Sequence, residues 1–166
     1  RYLTTQAKDD KVEYIHNDVG YNYRLTNLQA ALGVAQLEQL DGFIARKRVI
    51  ARTYETLLRR LPAMTLMPVP PQVEPTYWLY TILLPEGTTR SQRQRVIQQL
   101  HHRGVGARPL WHPIHGLPPY QDTRRGDVTH ATALYERALS LPSSVELRPE
   151  EMDRCVSSLL EVISNT

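Results

Sequence analysis

From Leu28 onward, apolar residues return every three or four positions, through Ala31, Leu32 and Ala35, which predicts a helix. Thr26 and Gln29 stand just ahead of it with the spacing of a capping box: the hydroxyl can accept from the backbone N–H of Gln29, whose amide can reach back. Asp41-Gly42 predicts a break or kink, since glycine costs about 1 kcal/mol in a helix interior and aspartate caps well whatever follows. A second stripe of Ile50, Tyr54, Leu57, Leu58 and Leu61 ends before Pro62. Pro68, Pro70, Pro71 and Pro75 then predict an extended linker, because proline fixes φ and removes a donor.

Residues Thr76 to Leu84 are rich in aromatic and β-branched side chains and form the clearest predicted strand, closed by Pro85-Glu86-Gly87. A helix is expected from about Ser91, with Val96, Ile97 and Leu100 apolar, and Gly104 stops it. Val105 to Leu110 reads as a second strand, His130 to Ala138 as a short helix, and Ser140-Leu141-Pro142 as a short extended piece. Pro149 suits a helix N-terminus, and Met152, Val156, Leu159, Leu160 and Ile163 give a last amphipathic helix. The order α-α-β-α-β-α-α implies a small α/β or α+β domain entered through long helices.

Composition narrows the class. With 41% hydrophobic and 22% charged residues the chain is globular rather than disordered. The net charge of +3 is mild, the basic residues are scattered in short clusters, and Phe43 is the single phenylalanine. No aromatic pattern of an RNA-binding module is present, so nucleic acid is not an expected partner. The one cysteine, Cys155, excludes an intrachain disulfide and a cysteine-rich zinc site, and it suits a reducing compartment. No apolar run approaches the roughly 18 residues of a membrane span, and no signal peptide is visible. The chain opens on Arg1 rather than methionine, and its first residues read as the interior of a longer protein.

Two stretches carry candidate chemistry. Asn22 and Arg24 lie two apart ahead of the Thr26 cap, so an extended backbone projects them to the same side. An amide beside a guanidinium at a rigid helix entrance suits an anion; the same residues also fit a capped surface helix with an interface arginine. The second stretch is Ala107-Arg108-Pro109-Leu110-Trp111-His112-Pro113-Ile114-His115-Gly116-Leu117-Pro118-Pro119-Tyr120. Arg108 and Trp111 offer a cation and a flat ring, suited to a nucleotide diphosphate and a base or sugar face. His112 and His115 are three apart, but Pro113 disfavours a helix and no carboxylate or cysteine is near, so no metal is expected. His16 and Asn17 read as turn residues, with a site role as the alternative.

Gly20-Tyr21-Asn22-Tyr23-Arg24-Leu25-Thr26-Asn27-Leu28-Gln29-Ala30-Ala31 resembles the signature of the DegT/DnrJ/EryC1/StrS family, pyridoxal phosphate (PLP) dependent sugar aminotransferases of the aspartate aminotransferase fold. Tyr2 to Asp10 and Tyr14 to Asp18 resemble the branch acting on UDP-linked 4-keto-6-deoxy sugars in the bacillosamine and legionaminic acid pathways. The resemblance implies an α/β chain, the C-terminal part of a fold type I transferase, with long connecting helices and a small domain whose short sheet is largely antiparallel. It divides the chain into residues 1–25, the end of the large PLP-binding domain with an interface loop; 26–61, the connecting helices; and 62–166, the small domain.

The resemblance also implies roles. Asn22 reaches the cofactor phosphate of the other subunit in a homodimer, and Arg24 belongs to the same region. Arg108, Pro113, His115, Pro118 and Tyr120 match the family's loop beside the sugar-nucleotide pocket, so Arg108, Trp111, His115 and Tyr120 are candidate substrate-binding residues and His112 has no assigned role. PLP transamination requires a lysine for the Schiff base. Lys8 and Lys11 sit in a charged loop and Lys47 between Arg46 and Arg48, settings that do not lower an amine's pKa. All three are rejected; the reactive lysine is expected before Arg1, and the chain alone is expected to be inactive. The implied substrates are a UDP-sugar and an amino donor such as glutamate, and the implied location is the cytoplasm. The alternative reading is a non-catalytic sugar-nucleotide-binding or assembly module.

Overall fold

Thr26 caps the first helix as its spacing predicts. Its hydroxyl accepts from the Gln29 backbone N–H at 3.3 Å, and the Gln29 amide oxygen accepts from the Thr26 N–H at 2.9 Å. Helix α1 follows over Asn27–Leu37. The computed structural model describes residues 2–7, 16 and 18–164, so Lys8, Lys11 and Asn17 lie outside the described residues. The chain divides into two compact units, Arg1–Asp41 and Gly42–Thr166.

In the first unit, an isolated antiparallel bridge joins Thr5 to Asn22. The Tyr21 N–H donates to the Leu3 carbonyl at 2.7 Å, the Tyr23 N–H to Thr4 at 3.1 Å, and the Gln6 N–H returns to Tyr21 at 3.0 Å. Gln6 and Ala7 adopt left-handed φ values of 67° and 50° where they pass over Gly20. A Cβ at Gly20 would lie 2.2 Å from the Ala7 nitrogen and 2.3 Å from the Gln6 carbonyl carbon, so only glycine fits there.

The second unit is a four-stranded antiparallel sheet with helices. Its elements are α2 (Leu40–Leu58, whose first two residues fall in the first unit), β1 (Thr65–Leu66), β2 (Tyr80–Leu83), α3 (Arg90–His102), β3 (Arg108–Pro109), α4 (Thr129–Arg137), β4 (Ala138–Leu141) and α5 (Pro149–Ser164). Two 3₁₀ turns, Ile114–Gly116 and Pro118–Tyr120, lie between β3 and α4. The strand order is β1-β2-β4-β3. Tyr80 pairs with Leu141, Leu83 with Ala138, and Arg108 with Ser140. All four residues of β4 are buried, so this central strand reads as a continuous run rather than an alternation. Ile50, Tyr54 and Leu58 of α2, Val96 and Leu100 of α3, and Val156 and Leu159 of α5 join Ile82 and Leu139 in one core.

Several boundaries differ from the sequence expectation: α2 stops at Leu58 rather than just before Pro62, and β4 covers Ala138–Leu141 rather than 140–142. The helix break falls between Leu37 and Leu40, and Gly42 is inside α2. The strand expected from Thr76 begins only at Tyr80, because Tyr77 turns to φ 50°. The strand expected from Val105 begins at Arg108. Gly104 at φ 73° and Val105 first close α3, their N–H groups donating to His101 and Leu100, and the Ala107 N–H then folds back on Val105. Strand β1 was not expected at all. The short α4 and the final helix lie within a residue of their expected positions.

Candidate functional site

The backbone pairing around Asn22 fixes where its neighbours point. Tyr21 and Tyr23 stack their rings at 5.3 Å, so they share one side of the extended segment. Asn22 and Arg24 occupy the alternate positions, and both are exposed. Neither side chain has a hydrogen-bond or ion-pair partner among the described residues. Two unpaired donors stand just before a capped helix start, a composition suited to a phosphate. His16 takes a structural position: its Nδ1–H donates to the Gln6 carbonyl at 2.6 Å.

Helix α1, directly after this pair, buries none of its residues, although it carries Leu28, Leu32, Val34 and Leu37. Leu28 and Leu32 fall on one side of the helix and Val34 and Leu37 on the other, so α1 is apolar around most of its girth, a composition found in helices that are packed on several sides.

The second unit holds a groove of about 700 Å³, within the range of small-molecule sites. Arg108 and Trp111 both line it, and the Arg108 guanidinium has no partner among the described residues. His115 and Tyr120 lie on the two 3₁₀ turns outside the lining, His115 half-buried and Tyr120 exposed. His112 packs its ring against Tyr135 at 5.1 Å. It also covers Gly116, where a Cβ would meet the imidazole Cε1 at 2.5 Å. Among the described residues no three His, Cys, Asp or Glu side chains gather as a metal site would need.

Two groove residues escaped the sequence reading. Trp78, expected within a strand, stacks on Trp111 at 5.8 Å with 22° between the rings, and both indoles are about two-thirds exposed. Lys47, expected among solvated arginines, is half-buried in the groove wall. Its ammonium donates to the Trp78 carbonyl at 2.9 Å, to the Ser143 hydroxyl at 3.3 Å and to the Ser143 carbonyl. Burial lowers its pKa from the usual lysine value. The setting is therefore drier than its sequence neighbours imply. Yet all three donors are committed, which leaves the amine no free proton or lone pair to offer a carbonyl, and its rejection as the Schiff-base lysine stands on different grounds.

Among the described residues no helix is long and apolar enough to cross a membrane. The chain is 36% identical over 164 residues to GDP-perosamine synthase of Caulobacter vibrioides, covering 98% of this chain and 44% of that protein. Helicobacter pylori PseC, an aminotransferase involved in pseudoaminic acid biosynthesis, superposes with a TM-score of 0.82 at 25% identity, covering 99% of this chain and 45% of PseC. The aminotransferase TlmJ of Streptoalloteichus hindustanus shares the fold with a TM-score of 0.84 at 22% identity, over 99% of this chain and 44% of TlmJ. The chain thus spans somewhat under half the length of the relatives it matches. Its α/β architecture with a small antiparallel sheet is that of the C-terminal part of these fold type I enzymes. The family pattern of DegT/DnrJ/EryC1/StrS aminotransferases matches residues 1–160, and the chain belongs to that family.

Proposed function

We propose that this chain supplies the C-terminal part of a PLP-dependent aminotransferase that moves an amino group, from glutamate or a similar donor, to C4 of a nucleotide-linked 4-keto-6-deoxy sugar. Family membership supports the reaction class. The observation that carries the reading is the pair Asn22 and Arg24, exposed and unpartnered ahead of the Thr26 cap. These residues fit a phosphate. Asn22 gives a neutral N–H donor and Arg24 a charged one, and the paired backbone behind them keeps both from collapsing onto the surface.

When bound, PLP supplies the electron sink that lets an amine nitrogen pass between two carbonyl carbons. This chain's own residues would hold its phosphate and, from Arg108 and Trp111, the diphosphate and one flat face of the substrate. His115 and Tyr120 remain substrate-side candidates on the loop beyond. The reactive lysine belongs to another segment of the protein, so the isolated chain has no transaminase activity. The apolar surface of α1 supports a homodimer in which Asn22 serves the partner's cofactor, within an assembly placed in the cytoplasm.

The finer substrate reading is a UDP-sugar of the bacillosamine or legionaminic acid kind, on the resemblance of residues 2–18. A GDP-sugar is the second reading, favoured by the identity to the Caulobacter vibrioides protein. The test is amino transfer by the whole protein to UDP- and GDP-linked 4-keto-6-deoxy sugars, with cofactor retention followed by absorbance. Asn22→Ala is expected to weaken PLP retention by about ten- to a hundred-fold, the loss of one hydrogen bond to a charged group. Unchanged retention would remove the pair from the cofactor site and with it the main support for the assignment.

A further inference from the structure

Trp78 and Trp111 come from separate loops, and nothing in the hydrophobic effect alone would leave two stacked indoles two-thirds in solvent. The chain is constrained to put Trp78 there. Tyr77, just before it, holds a left-handed φ of 50°, a sparsely populated conformation for an aromatic residue. The Tyr77 ring is packed 6.3 Å from Tyr80 beside the core, so the bend is anchored on its inner side. On the outer side the Trp78 carbonyl accepts from both the Lys47 ammonium and, at 3.2 Å, the Ser143 hydroxyl. Lys47 thereby ties α2 to the approach of β2 and to the exit of β4. A strained backbone fixed at both ends, presenting an exposed ring pair, is the mark of preorganisation for a ligand.

We propose that Trp78 and Trp111 form one aromatic platform that stacks the nucleobase of a nucleoside diphosphate sugar, and that Lys47 is the positioning residue that holds this platform in place. The inference rests on the nucleotide-sugar reading above and names the part of the groove that recognises the base. The two indoles sit too close to admit a ring between them, so the base lies on an outer face of the stack. Arg108, which lines the same groove without a partner among the described residues, is positioned for the diphosphate. Lys47 does not itself reach for the ligand, because its three donors are already taken.

The test uses the whole protein and two readouts. Circular dichroism records the exciton couplet of the stacked indoles, isolated as the difference between wild type and Trp78→Phe. Calorimetry measures binding of UDP and of GDP, with ribose 5-phosphate as the probe that lacks a base. Trp78→Ala and Trp111→Ala are each expected to weaken UDP or GDP binding roughly ten-fold or more, as removal of a stacking ring does, and to leave ribose 5-phosphate unaffected. Lys47→Met is expected to erase the couplet and raise KM for the nucleotide sugar with little change in kcat, while Lys47→Arg keeps both. Should Lys47→Met fail to fold, the milder Ser143→Ala is expected to reduce the couplet and the affinity in the same direction.

Wild-type nucleotide affinity in both tryptophan variants would overturn the platform. An intact couplet in Lys47→Met, or in its substitute Ser143→Ala, would overturn the positioning role. Binding of UDP or GDP that depends on the tryptophans, without amino transfer to any nucleotide sugar, would support the platform and sink the proposed reaction. Amino transfer with indifferent tryptophans would do the reverse.

Discussion

At the scale of single residues, the decisive facts are close approaches and satisfied donors. Gly20 has backbone where a side chain would be, so Gly20→Ala is expected to cost at least about 1–3 kcal/mol, as overpacking does. It should also loosen PLP retention, since the displaced segment carries Asn22; melting and cofactor absorbance check both. The Thr26 cap was legible because hydroxyl and amide stand at a fixed offset in one short stretch, and the same signal at Thr89 and Gln92 starts α3. Lys47 was not legible. Its surroundings are Trp78 and Ser143, respectively 31 and 96 positions away, and its neighbours in sequence misled.

At the scale of elements, the helix stripes of the second unit survived the passage to structure as buried faces, while that of α1 stays exposed and strand limits shifted. Ile50, Tyr54 and Leu58 are all buried on α2, and Met152, Val156 and Leu159 on α5. Strands gave weaker guidance, because a single bend moves every later side chain. Trp78 shares parity with Tyr80 and Ile82, which are buried, and would be inside if the strand were unbroken; Tyr77 turns it out. The two-residue strands β1 and β3 owe their form to the neighbour they pair with, not to propensity. Gly104 is another matter, since its left-handed φ closes α3. Gly104→Ala is expected to cost about 1–2 kcal/mol, read as a lower denaturation midpoint with an unchanged slope.

At the scale of the whole molecule, one core holds the second unit together, and its chemistry sets a pH limit. Burial pushes the Cys155 thiol up to about 11, opposed by the Tyr54 hydroxyl and the Arg154 charge. The folded state therefore keeps a proton that the unfolded chain gives up at a lower pH. That contribution to stability is full below the ordinary thiol range and is lost as pH rises through about 11. Melting temperature should fall over this window, and less steeply in Cys155→Ala. Leu139→Ala, at the centre of the same core, is expected to cost about 2–5 kcal/mol.

The place of β4 in the sheet has a consequence for synthesis. It is the last of these four strands to leave the ribosome, yet β2 and β3 both lean on it. Until about residue 141 emerges, the nascent chain holds a lone two-stranded ribbon and an unpaired edge, neither stable in water. A premature stop ahead of Ala138 is therefore expected to release a sticky, unfinished sheet rather than a shorter working domain.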